Sequence, residues 1–312
     1  MPPGPHADPA NAKYVAISAS PTARSYRARR AQSSTSTPAP ASMSHEFFHA
    51  VDPGRARSNN EDAVAVDPGQ GLAVLADGMG GYNAGEVASG IAVAMLTTEM
   101  KQALQSHEPH RLAASGGEPM AAVLVRENSG KANAAIYQTA QSQPQYAGMG
   151  TTLVVALFFD NRVTVGHIGD SRLYRLRKQE LSQVTRDHSL LQEQIDSGML
   201  TKEQARYSQN KNLVTRAVGI DPNVETEVHT YDVEKGDLYL LCSDGLSDMV
   251  TDEDIQETLD AMRGNLPLAA QQLVQLANDC GGRDNISVIL VRVLDDFAAP
   301  RSWLAKLTAW FR

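Results

Sequence analysis

The sequence predicts an α+β domain in which packed antiparallel sheets are flanked by helices. Two patterns in the chain support this. Short apolar runs broken by Gly, Pro and Asn follow one another closely, as antiparallel strands do. Helical patterns come in pairs, not one after each strand, which argues against a parallel βαβ sheet. The length, 312 residues with 42% hydrophobic, allows a sizeable core in one large or two small domains.

The elements follow in order. "EFFHAV", "DAVAVD" and "LAVLAD" read as short strands. Residues 84–105 read as a helix, with Val87, Ile91, Met95 and Leu96 on one stripe. Residues 118–141 read as a second helix, weakened in its middle by Gly130. "TTLVVALFFD", "RVTVGHIGD" and "RLYRLRKQ" read as strands, the first two joined by a turn at "DNR". Residues 185–219 are polar and carry two short helical patterns, "SLLQEQIDSG" and "TKEQARYSQ". Strands are expected at 227–233 and 237–242, helices at about 252–262 and 266–278, and a last strand at "NISVILVRV".

Both ends differ from this interior. Residues 1–44 are rich in Pro, Ala, Ser and Thr, have no hydrophobic period, and are expected to be a disordered basic tail; Met43 is an alternative true start. Residues 296–312 end in "RSWLAKLTAWFR", with Trp303, Leu307, Trp310 and Phe311 among basic residues. Such a segment suits a membrane surface or a partner, but the simpler reading is a terminal helix docked on its own domain. The expected folded domain is therefore 45–295.

Charge and cysteine content narrow the function classes. Residues 1–44 carry +4 and the whole chain −8, which leaves −12 on the remainder. A domain that acidic is a poor nucleic-acid binder and a reasonable cation binder, provided its carboxylates converge. Two cysteines, Cys242 and Cys280, make no disulfide framework and fit a reduced, cytoplasmic setting. No run approaches the ~20 apolar residues of a membrane span, and the first residues lack the apolar stretch of a secretory signal.

The chemistry-bearing pattern is a set of acids at strand ends. Asp77 follows "AVLA", Asp170 follows "VTVGHIG", and Asp244 follows "LYLLCS". Asp284 precedes "ISVILV", and Glu61-Asp62 opens "DAVAV". Taken singly each reads as a turn or a helix cap, since Asp-Gly is a common turn dipeptide. Taken together in one acidic domain they suit a hard divalent cation, which wants oxygen ligands. Adjacent glycines such as Gly78 let a backbone carbonyl come close enough to ligate as well.

These residues resemble the metal-dependent protein phosphatases, the protein phosphatase 2C or PPM family, and its bacterial serine/threonine members in particular. "RSNNEDA" (57–63) resembles the family's Arg-x-x-x-Glu-Asp motif, and "ADGMGG" (76–81) its Asp-Gly-x-Gly-Gly motif. "GMGTT" (148–152), "GHIGDSR" (166–172), "CSDGLSD" (242–248) and "GGRDNISVI" (281–289) are similar to four more, in order, so the likeness covers nearly all of 45–293. The resemblance implies a fold of two antiparallel sheets packed face to face with helices on both outer sides, an α-β-β-α sandwich. It implies two Mg²⁺ or Mn²⁺ ions, with Asp77 bridging them, the Gly78 carbonyl on one, and Asp244 and Asp284 on the other. It also implies that Glu61 and Asp62 hold ion-bound waters, that Asp170 with Asp244 serves a third, weaker ion, and that Arg57 grips the substrate phosphate. Arg57 suits that role because its planar fork donates two hydrogen bonds and stays charged; otherwise it is a solvated loop residue. Residues 185–219 fall where the family carries its variable flap.

One departure from the family matters. Animal members carry a histidine directly after the Asp-Gly, proposed as the general acid, whereas Met79 stands here as in similar bacterial members and cannot donate a proton. His167, in a strand ahead of the Asp170 turn, is expected to be a packed histidine, and His188 opens the flap region. The function implied is hydrolysis of phosphoserine and phosphothreonine in proteins, with a bacterial kinase or its substrates as partners. A non-catalytic binding module and a phosphatase dedicated to one phosphoprotein are the alternatives. The complete set of acids weighs against the first, and the lack of an obvious sensor domain against the second.

Overall fold

The structure is a computed structural model that describes residues 44–81, 83–114, 116–205 and 213–299. The expected tail over 1–44 lies outside these residues, except for Ser44. So does most of the C-terminal segment.

Eleven strands and seven α-helices make up the described residues. In chain order they are β1 (His45–Asp52), β2 (Asp62–Asp67), β3 (Leu72–Met79), α1 (Ala84–Ser106), α2 (Met120–Ser142), β4 (Gly150–Thr151) and β5 (Leu153–Phe159). Then come β6 (Arg162–Ile168), β7 (Arg172–Arg177), β8 (Glu180–Gln183), α3 (Leu190–Asp196), α4 (Lys202–Ala205), β9 (Glu227–Asp232) and β10 (Leu238–Cys242). The chain finishes with α5 (Asp244–Ser247), α6 (Asp252–Ala261), α7 (Leu266–Asp279) and β11 (Ile286–Val293).

Two antiparallel sheets result. One has the order β1-β11-β10-β7-β8; the other has β2-β3-β5-β6-β9, with β4 pairing on β3. Every strand pairing is antiparallel. Ala73, Leu75, Val154 and Val165 of the second sheet pack against Leu173, Tyr239, Leu241 and Ile289 of the first. The opposite face of the second sheet, with Leu72, Val74, Val155 and Leu157, packs on Ala88, Leu96, Met100 and Ile136 of α1 and α2. The opposite face of the first sheet, with Leu176, Leu240 and Leu290, packs on Ile255, Leu259 and Leu273 of α6 and α7. The architecture is the expected α-β-β-α sandwich.

This layering explains the strand sequences. Antiparallel strands with one wet face alternate apolar and polar residues. Here both faces are covered, so β5, "LVVALFF", is buried at every position. Gly130 does not break α2, which runs unbroken through it. The turn between β5 and β6 carries two left-handed residues, Asp160 (φ 46°) and Asn161 (φ 54°), the signature of a tight hairpin turn.

Two elements were not expected from the sequence. The run "RLYRLRKQ" turns back at Lys178 (φ 58°), and the polar "ELSQ" becomes edge strand β8. A single helical turn, α5, opens directly at Asp244.

Candidate metal centre

The site forms where the two sheets present the same ends. Antiparallel pairing of β2 with β3 sets Asp62 opposite Asp77. Asp77 is then held through its backbone. Its N–H donates to Thr152 Oγ1 (3.0 Å), and its carbonyl accepts from Thr152 N–H (2.8 Å) and from Thr151 Oγ1 (2.8 Å). The Thr-Thr pair at the junction of β4 and β5 thus fixes the backbone that carries this carboxylate.

The glycines around it answer a close approach of backbone. A Cβ on Gly78 would sit 2.1 Å from the Gly85 carbonyl oxygen and 2.6 Å from that of Glu61. The N-terminal turn of α1 therefore presses directly on the end of β3, and only glycine fits between them. Gly245 is constrained in the same way, because its Cβ would lie 1.9 Å from the Asn285 carbonyl oxygen.

The first sheet contributes Asp244 and Asp284. Asp244 follows β10 and opens α5, and Asp284 precedes the adjacent β11. Ser243 joins the sheets. Its hydroxyl donates to Asp62 Oδ2 (2.8 Å) and accepts from Ser287 N–H (3.0 Å). Asn285 clamps the loop ahead of β2. Its Oδ1 accepts from Glu61 N–H (2.8 Å), and its Nδ2 donates to the Pro53 (3.0 Å) and Asn59 (2.9 Å) carbonyls. Asp170 comes from the turn after β6, behind Gly169, whose φ of +102° lies in the left-handed region.

The electrostatics record the convergence. Burial first, then the charges of Asp62, Asp244, Asp170 and Asp284, hold the Asp77 carboxyl well above the usual range. Burial and the neighbouring Asp170, Asp248 and Asp284 do the same for Asp244. Burial lifts Asp62 to about 6. Asp170 also rises to about 6, from burial and then Asp187. Glu61 is raised chiefly by burial. Arg57 Nη2 donates to Asp284 Oδ2 (2.8 Å), and that carboxylate pushes the guanidinium further into its charged form. The structure thus brings Asp62, Asp77, Asp170, Asp244 and Asp284 together, with Glu61, Gly78 and Arg57 at their edge.

The residues fit a hard cation. Asp62 Oδ1 and Asp244 Oδ1 are buried and have no hydrogen-bond partner. An ionised carboxylate buried with an unmatched oxygen is strongly unfavourable, and a cation offsets that. The donors are all oxygen, the set that Mg²⁺ and Mn²⁺ prefer.

A cleft of about 360 Å³ leads away from Asp170 and Asp244, between Ile195 of the flap and the Asp248–Asp252 segment. Its floor is stapled by Arg172, whose Nε and Nη2 both bond Asp187 (2.8–3.1 Å). Asn285, Ser243 and the Arg172–Asp187 pair are positioning residues that strand-end acids alone did not reveal. Asn285, Ser243 and Arg172 were present in the quoted motifs "RDN", "CSD" and "GDSR", yet each reads locally as turn chemistry, and Asp187 lay in no quoted motif.

Known proteins share this sequence pattern and fold. The profile described as protein phosphatase 2C matches residues 54–278. The chain is 41% identical over 255 residues to the serine/threonine protein phosphatase PstP of Mycobacterium tuberculosis, covering 81% of this chain and 46% of PstP, so it spans about half the length of that relative. It is 37% identical over 244 residues to the serine/threonine phosphatase stp of Listeria monocytogenes, covering 77% of this chain and 93% of that one. The crystal structure of the PstP catalytic domain in complex with two manganese ions superposes with a TM-score of 0.70 at 37% identity, covering 80% of this chain and 99% of that domain. This chain belongs to the protein phosphatase 2C family.

Proposed function

We propose that this chain is a metal-dependent protein phosphatase that hydrolyses phosphoserine and phosphothreonine in proteins. The observation that carries the reading is the convergence of five buried or half-buried carboxylates, two of them with unmatched oxygens, beside a guanidinium. Family membership and the two manganese ions of the PstP catalytic domain support it.

In this reading Asp77, the Gly78 carbonyl, Asp244 and Asp284 would hold two divalent cations, and Glu61 and Asp62 would hold water beside them. Asp170 and Asp244 serve a third, weaker ion. The cation pair, when bound, acidifies water and neutralises charge that builds on the phosphate oxygens. Thr151 and Thr152 hold Asp77 still, so little reorganisation is needed at the moment of reaction. Arg57 orients the phosphate with two parallel donors, and its half-exposed side chain can turn from Asp284 toward a substrate. Met79 offers no proton, so the leaving alkoxide is protonated by water or by another group.

Among the described residues no helix is long and apolar enough to cross a membrane. We propose a cytoplasmic signalling role, opposite a serine/threonine kinase or on that kinase's substrates, with residues 45–295 as the catalytic domain. The flap at 185–219, which lines the cleft, would shape the choice of target.

The test is phosphate release from phosphothreonine and phosphotyrosine peptides, with Mn²⁺ and with EDTA. Release from phosphothreonine that EDTA abolishes is expected. Metal-independent release, or a preference for phosphotyrosine, would overturn the reading.

A further inference from the structure

A second cluster lies beyond the Gly169–Asp170 turn, outside the carboxylate centre. His167, near the end of β6, stacks on His188, with ring centroids 4.7 Å apart and planes 16° from parallel. Glu227 pairs directly across from His167 in the β6–β9 register. One ligand atom from each of the three lies within 4.8 Å of the others. Both rings are buried, while the Glu227 side chain is 32% exposed, so the cluster opens to solvent on the glutamate side.

Hydrogen bonds fix the tautomers. His167 Nε2 faces the Arg186 carbonyl at 2.8 Å; a carbonyl only accepts, so Nε2 carries the proton and Nδ1 the lone pair. Gly169 N–H donates to His188 Nδ1 (3.2 Å), which leaves the His188 proton on Nε2, pointing at Glu227 Oε2 (3.2 Å). Glu227 Oε1 lies 3.0 Å from the exposed His229 Nε2. Burial lowers the pKa of both buried rings, so both are neutral near pH 7.

Two neutral imidazoles and a carboxylate are the donor set of a three-ligand Zn²⁺ site, not of a hard Mg²⁺ site. The Arg186 carbonyl already supplies the outer anchor that orients such a histidine. We propose that His167, His188 and Glu227 form a second cation site, selective for Zn²⁺-like ions, whose filling disturbs the Gly169–Asp170 turn.

The coupling follows from the proton balance. A cation on His188 Nε2 takes that nitrogen's lone pair, and the displaced proton moves to Nδ1 of the same ring. No proton is lost overall. The new Nδ1–H then faces Gly169 N–H, and the bond between them breaks. Gly169 has little room to adjust, because it sits at φ +102° with Thr152 Cγ2 only 2.7 Å from where a Cβ would be. Strain therefore passes to Asp170, the next residue.

The site is tested by Zn²⁺ uptake of the full chain against a chromogenic chelator, in excess Mg²⁺ to occupy the carboxylate centre. One Zn²⁺ per chain is expected, with affinity reduced on the order of 100-fold in Glu227→Gln and in His188→Asn. Glu227 is partly exposed, so Glu227→Gln is expected to fold, as an unchanged circular dichroism spectrum would verify. Zn²⁺ should also slow Mg²⁺-supported turnover of a small phosphate ester in the wild type, and Glu227→Gln should resist that inhibition. No uptake in the wild type, or uptake unchanged in both variants, would overturn the proposal. Uptake that leaves turnover intact would overturn the coupling to Asp170.

Discussion

The carboxylate centre and the histidine pair flank the same turn, Gly169–Asp170, yet they are built to opposite rules. In the carboxylate centre two buried oxygens have no partner, and the acids raise one another's pKa. In the histidine cluster both ring nitrogens of His188 and Nε2 of His167 already have hydrogen-bond partners. A cation at the first site relieves repulsion and meets two oxygens that have no hydrogen bond to lose. At the second it must replace the His188 bonds to Glu227 and to Gly169. Both are clusters of potential ligands, but only the first is unstable without a counter-charge.

The comparison is broken most severely by removing the bridging acid. Asp77→Asn should lower turnover about 1000-fold, equivalent to ~4 kcal/mol of barrier. It should also raise the melting temperature in EDTA, because one member of a repelling set is gone; a fall instead would refute the repulsion. Gly78→Ala should destabilise by more than ~3 kcal/mol, since its Cβ meets two backbone oxygens that cannot move aside. Chemical denaturation would measure this, and a loss under ~1 kcal/mol would contradict the close approach. Asn285→Ala removes three bonds to backbone, and about 2 kcal/mol of stability should go with them. Arg57→Lys should raise KM for a phosphopeptide about tenfold with little change in stability, because an ammonium cannot reproduce the two-pronged contact.

The smallest expected effect is a pH slope. Asp62 and Asp170 rise from 3.8 to about 6 on folding, so their protonated forms favour the native state. That contribution is complete below about pH 4 and is lost as pH rises through about 6. In EDTA, melting temperature should therefore fall between pH 5 and pH 7.5, and saturating Mn²⁺ should flatten or reverse the slope. The same slope with and without Mn²⁺ would contradict the assignment. The histidines work the other way, because their lowered pKa values make the native state lose stability as pH falls below about 6.5. Glu227→Gln therefore offers a separate, acid-side control.

The strand-end position of Asp77, Asp170, Asp244 and Asp284 was legible because each adjoins an apolar run, and β3, β6, β10 and β11 formed there. Their meeting was not legible from spacing alone. Asp62 reaches Asp77 through the β2–β3 register, and Asp244 reaches Asp284 through β10–β11. Those are pairings that local sequence does not encode; the ordered family motifs supplied them. Edge strand β8 was missed because "ELSQ" is polar and partly exposed, so it carries no burial signal. His167, His188 and Glu227 lie far apart in the chain, and only the β6–β9 pairing and the stacking of His188, from the segment between β8 and α3, unite them. The expectation that His167 is packed agrees with its 2% exposure, but packing did not reveal its neighbours.

The most direct test of the carboxylate centre is Mn²⁺ binding to the full chain at pH 7.5, followed by calorimetry for the wild type and Asp77→Asn. Two or more Mn²⁺ per chain in the wild type, with the tight pair lost in Asp77→Asn, is the predicted result. Equal stoichiometry and affinity in the two proteins would mean that Asp77 is not at the heart of a cation site, and the account would fail.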